Sequence, residues 1–225
     1  MARATFAATI LAIALAAGAA DAGEAQDRLF ATGLLDSVET GHRLVFAHQR
    51  SGSAVVGPAL APIENGRVEI LLAPSEVSDG RSAEVSLHDG VRVRQLDPVP
   101  ASAGNPLLMV FMETSVRMMA AATGGSPFYI RNRMRDALRT QDAGVPVEVE
   151  IDGATAPGVR YGFRPFAGDP NAGRMGAFAD LEFSFVLSDA APGGFAVLET
   201  VAGPNPGGDA AFRETMTFQA LEAGR

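Results

Sequence analysis

The chain has 225 residues, a formal net charge of −8 and no Cys. An acidic balance argues against general nucleic-acid binding, which draws on a basic face. The lack of Cys excludes a disulfide framework, thiol catalysis and zinc–thiolate sites, so a sizeable core must hold the fold, and because all 18 basic side chains are Arg there is no lysine chemistry.

The N-terminus reads as a secretory leader. Arg3 and the free amine make a short positive region, Phe6 to Ala17 is an apolar run broken only by Thr9, and Ala20-Asp21-Ala22 offers a small-x-small cleavage site before Gly23. An uncleaved anchor is the rival, but the apolar run falls short of the roughly 20 residues a bilayer core needs. No Cys follows the run to accept a lipid. The expected organisation is a signal peptide over residues 1–22 and one β-rich domain over 23–225, with a helical insertion at 105–140. Its location would be periplasmic or secreted, with no integral membrane segment after cleavage.

After the leader, Asp27 to Leu35 reads as a strand. Period-two alternation then runs through Leu44, Phe46 and His48, through Val68, Ile70 and Leu72, and through Val85 and Leu87. At Asp89-Gly90 a two-residue turn would set Leu87 against Arg92. A three-residue loop, His88 to Gly90 with Gly90 left-handed, sets Leu87 against Val91 and Val85 against Val93. One apolar and one wet face favour the longer loop.

Helical signals begin at Asn105-Pro106, a capping residue followed by Pro, and end at Thr123-Gly124-Gly125. Ser126-Pro127 opens a second helix that runs to about Thr140, and Asp169-Pro170 opens a short third one that reaches Ala177. The first helix is apolar on most sides and carries four of the eight Met. Its only charges, Glu113 and Arg117, stand at i,i+4. The second has an apolar stripe of Ile130, Met134, Ala137 and Leu138, with Arg131, Arg135 and Arg139 four residues apart.

Beyond the helices, Val147, Val149 and Ile151 pair through an Asp152-Gly153 turn with Val159, Tyr161 and Phe163. All six can line one face. Strands follow at Leu181 to Leu187, Phe195 to Val201 and Phe212 to Leu221, with Val201 to Ala211 read as a loop. The fold class is α+β, mostly β: a curved antiparallel sheet of about nine strands, a half-barrel or open barrel, covered by a helical pair.

A helix as apolar as the first is normally buried, and core packing explains its Met side chains. The sharper reading is that Met109, Met112, Val116 and Met119 line an adaptable pocket, with Phe183 and Phe185 opposite. The Arg run of the second helix is ordinarily a solvated face; alternatively Arg131 and Arg135 meet an anionic headgroup. The three His lack metal-site spacing and read as exposed, and no nucleophile elbow or phosphate loop is present. No catalytic residue, metal or cofactor is expected.

The order of leader, strands, helical pair and strands resembles the periplasmic half-barrel group typified by the LolA/LolB lipoprotein carriers. The phrase GGSPFYIRNR, residues 124–133, is similar to phrases in uncharacterised exported proteins of Gram-negative bacteria. The resemblance is architectural, and the strand at Asp27 to Leu35 stands where such a carrier has a leading helix. It implies a curved sheet around an apolar cavity closed by helices. The expected function is therefore binding of an apolar or amphipathic ligand, a lipid or lipoprotein-like molecule, between sheet and helices. The alternative is a structural or interaction module with a filled core, its Arg helix docking an envelope protein.

Overall fold

The computed structural model describes residues 24–54, 60–76, 80–90, 92–139, 143–204 and 210–224. The leader lies outside the described residues. The elements in chain order are α1 (Glu24–Leu29), β1 (His42–Ser51), β2 (Ile63–Pro74), β3 (Arg81–His88), β4 (Val93–Gln95), β5 (Val99–Pro100), α2 (Pro106–Thr123), α3 (Pro127–Arg139), β6 (Val145–Ile151), β7 (Ala154–Phe163), β8 (Glu182–Leu187), β9 (Phe195–Pro204) and β10 (Ala210–Ala223). Ten antiparallel strands form one open, curved sheet ordered β4-β3-β2-β1-β10-β9-β8-β7-β6, with β5 also paired to β3. The strand beyond the expected nine is the two-residue β5.

This order explains the position of the helices. The chain leaves one end of the sheet at β5 and re-enters at the other end with β6. The helical pair is the crossover between the two ends, and it runs over the apolar face. Register shows which face that is, because directly opposed residues share a side. One row runs Tyr161, Phe185, Leu198, Met216, His48 and Gly66 across six strands. The next runs Phe163, Phe183, Thr200, Glu214, Arg50 and Ile63. The opposite face carries ion pairs such as Arg43–Glu69 at 3.0 Å and Arg160–Glu182 at 2.7 Å.

Local chemistry sets the helix ends. The Asn105 side chain accepts from the Leu107 amide at 3.0 Å, Pro106 takes the first position, and Gly124 closes α2 in the left-handed region. α3 buries Ile130, Met134, Ala137 and Leu138, the stripe its sequence shows.

Five expectations are corrected. Asp27 to Leu35 is not a strand: α1 ends at Leu29 and turns follow. Ala25 and Leu29, one helical turn apart, are buried, and Gln26 donates to the Leu138 carbonyl at 2.9 Å. The β3–β4 loop has four residues, which sets Leu87 against Arg94 and His88 against Val93. Asp89 bonds both the amide and the carbonyl of Arg92, and the exposed β4 has no burial to oppose that register. Across β6–β7, Asp152 and Gly153 both have positive φ and make a two-residue turn that sets Ile151 against Ala154. Val147, Val149 and Ile151 therefore share a side with Gly158 and Ala156, opposite to that of Val159, Tyr161 and Phe163. The third helix is replaced by two 3₁₀ turns, Ala172–Arg174 and Gly176–Asp180. The loop after Val201 is shorter than expected, since Ala202 and Phe212 still pair.

Candidate functional site

Pro106, Met109 and Val110, then Glu113 and Thr114, then Arg117 recur at helical spacing along one flank of α2. That flank faces the sheet end at β3 to β5, and between them lies a cleft of about 480 Å³. Val85, Leu96 and Val99 supply its apolar wall on the sheet side. Such a volume falls in the range of small-molecule sites, about 300–1,000 Å³. Arg94 and Asp97 stand on the strand side of the rim, and Glu113 and Arg117 on the helix side. Met109, 60 % exposed, is the most open apolar side chain of the lining.

The floor of the cleft is charged. Arg50 is only 8 % exposed yet borders it, and its Nη2 donates to Oε1 of Glu214 at 2.6 Å. Glu214 is fully buried and also lies 2.7 Å from Nε2 of His48, itself 3 % exposed. Burial pushes the Glu214 carboxyl up, but the His48 hydrogen bond and the Arg50 charge outweigh it and hold the group below its ordinary value. Above this set, Ser115 of α2 sits 3.5 Å from Thr200 of β9, so polar contacts continue from sheet to helix. At the rim, burial likewise raises Glu113, and hydrogen bonds from Arg131 and Arg117 bring it below the usual carboxylate range.

Of the side chains expected to line a pocket, only Met109 borders this cleft. Val116, Met119, Phe183 and Phe185 are core residues, and Phe111 stands edge-on to Phe183 at 6.2 Å and to Phe185 at 6.0 Å. Met119 also borders a second cleft, about 360 Å³, at the α2–α3 turn, and Met112 is half-buried against the core. Arg131 bonds Glu113 at 2.9 Å and so touches the α2 cleft through that carboxylate. Arg135 is exposed and has no ion-pair partner among the described residues. The cleft along the flank of α2 therefore lies beside the packed helix–sheet interface rather than within it.

Arg50, Glu214 and His48 are the buried polar residues of the candidate site that the sequence reading missed, and His48 is buried where an exposed histidine was expected. The signal was present: Leu44, Phe46, His48 and Arg50 keep one parity, as do Phe212, Glu214, Met216 and Phe218. Charges embedded in an apolar alternation mark polar groups on the inner face.

A second polar set ties α3 to the 3₁₀ segment. The Tyr129 hydroxyl is 2.7 Å from the Asp169 carboxylate, the Asn171 amide donates to it at 2.7 Å, and Arg133 lies 2.8 Å away. Burial raises Asp169, and these donors reverse the effect. Among the described residues no three His, Asp or Glu gather as metal ligands, and no helix is long and apolar enough to cross a membrane. The chain matches no known protein-family model and no curated protein sequence, so its function is argued from the geometry of the cleft.

Proposed function

We propose that this is an exported protein, periplasmic or secreted, that binds an apolar or amphipathic small molecule of lipid-like chemistry between α2 and the β3–β5 end of its sheet. The observation that carries this reading is the cleft of about 480 Å³, apolar on both walls and ringed by charge. The leader-like residues 1–22 support the location, and an open curved sheet crossed by helices supports a likeness to half-barrel carriers. Met109 is exposed and flexible, and such a side chain adapts to varied ligands.

The test is titration with a neutral apolar dye that brightens on leaving water, with Met109→Glu as the variant. Met109 is mostly exposed, so the substitution should leave the fold intact while weakening the dye about tenfold, or roughly 1.4 kcal/mol. Binding unchanged by the variant would remove the ligand from this cleft. Mass spectrometry of the purified protein should recover a native lipid-like molecule.

One observation favours the alternative, an interaction module of the cell envelope. Phe128, at the start of α3, is 76 % exposed with the Arg131 guanidinium 5.8 Å from its ring centre, and Arg135 and Arg139 continue the same exposed helix. Reversing the charge at Arg135 and Arg139 should then abolish co-purification of an envelope protein without lowering stability.

A further inference from the structure

Arg50 is the unusual member of the cleft. A buried ion pair is weak evidence for stability, since apolar side chains of similar volume often serve as well or better. The Arg50–Glu214 pair nonetheless sits in a row that otherwise carries Phe163, Phe183, Thr200 and Ile63. Its placement is explained by what the guanidinium still has to offer. Of five N–H donors, Nη2 makes one bond to Oε1 of Glu214, Nη1 makes only a 3.4 Å contact with the Ala61 carbonyl, and Nε has no hydrogen-bond partner. Glu214 neutralises the charge and, with His48 on the same oxygen, holds the group at the cleft floor.

The rim adds to this. Arg94 is exposed and has no ion-pair partner among the described residues, and it lines the cleft opposite the helix. On the helix side, Glu113 is shared by Arg117 and Arg131, so its charge is already answered. Counting the lining and the groups directly behind it, Arg50, Arg94, Arg117 and Arg131 face Glu113, Asp97 and Glu214. The cleft is thus locally positive in a protein of net charge −8. Such a field favours an anion and raises its local concentration.

We infer that the ligand of this cleft is a singly charged anionic amphiphile, its carboxylate or phosphodiester headgroup on Arg50 with Arg94 at the rim, and its apolar body along Met109 and the sheet wall. This rests on the cleft reading and adds the charge of the ligand and the residue that recognises it. The headgroup task expected of Arg131 and Arg135 falls instead to Arg50 and Arg94.

The experiment uses the full chain with three probes: an anthroyloxy-labelled fatty acid, its methyl ester, and inorganic phosphate. The wild type should bind the acid about tenfold more tightly than the ester, a preference that shrinks with added salt. Arg94→Gln, on an exposed strand, should lower that preference severalfold. Removing Arg50 alone would strand Glu214, so Arg50→Met is paired with Glu214→Gln. The double variant should lose most of that preference, keeping only the severalfold part that Arg94 supplies, with its ester affinity unchanged. Equal binding of acid and ester by the wild type, or an acid preference undiminished in the double variant, overturns the inference and leaves the cleft reading standing. Phosphate that displaces the acid at comparable concentration overturns the amphiphile in favour of a free anion. Failure of both labelled probes to bind overturns the cleft reading itself.

Discussion

Glu214 shows what a single residue reveals and conceals. Its position in the alternation Phe212, Glu214, Met216, Phe218 was readable, and so was the side of the sheet it had to face. Its partners were not, because β1 and β10 are the first and last long strands and meet only through the completed sheet. The pair they make is a strong energetic unit. Arg50→Met leaves a fully buried carboxylate hydrogen-bonded to His48 alone, and Glu214→Gln leaves a buried guanidinium unanswered. Each single change should cost about 3–5 kcal/mol in urea denaturation. The double change should cost much less than their sum, because it removes both charges at once. Additive costs would show that the two side chains are not coupled.

At the scale of elements, legibility follows how local the deciding chemistry is. The start of α2 was readable because a cap and a Pro act within two residues, and its end because Gly124 supplies a left-handed stop. Asn105 does more than cap, since its Nδ2 also donates to the Gly193 carbonyl at 2.9 Å in a buried setting. Asn105→Ala should therefore lose more than the ~1 kcal/mol usual for a cap, about 2 kcal/mol or more by urea titration. A loss within the ordinary cap range would mean the Gly193 bond contributes nothing. The β3–β4 register was misread for the complementary reason. Burial patterns select register where a face is covered, and β4 is exposed along its length, so Asp89 decides. The cleft was half-readable. A helix apolar on nearly every side does not tell which flank meets the sheet and which is left open. That depends on β5, two residues long and too short to show in an alternation pattern, pairing back onto Ser82 and Ala83 of β3.

Four carboxylates spread over the molecule stay ionised at a cost in burial. Glu113, Asp169, Glu182 and Glu214 all have lowered pKa values, each because Arg, His, Tyr or backbone donors outweigh desolvation. They are spread over the structure: the cleft rim, the α3–3₁₀ junction, the outer sheet face and the β1–β10 seam. Glu113 is substantially exposed, so solvent screens its contribution, whereas Asp169 and Glu214 are buried and carry most of the effect. A carboxylate whose folded value is depressed stabilises the fold fully above its unfolded value, and that stability is lost as pH falls towards the folded value. The unfolded reference values are 4.5 for Glu and 3.8 for Asp. The urea midpoint should therefore stay flat from neutral pH to about 5 and fall steeply below that. In the chain carrying both Arg50→Met and Glu214→Gln the acid slope should be shallower, because one of the two dominant groups no longer titrates. The seam joins the strands that precede the helices to those that follow them, so the same acidification should loosen both halves in one transition. Separate transitions by far-ultraviolet circular dichroism and by tyrosine fluorescence would show instead that the seam is not what couples the halves.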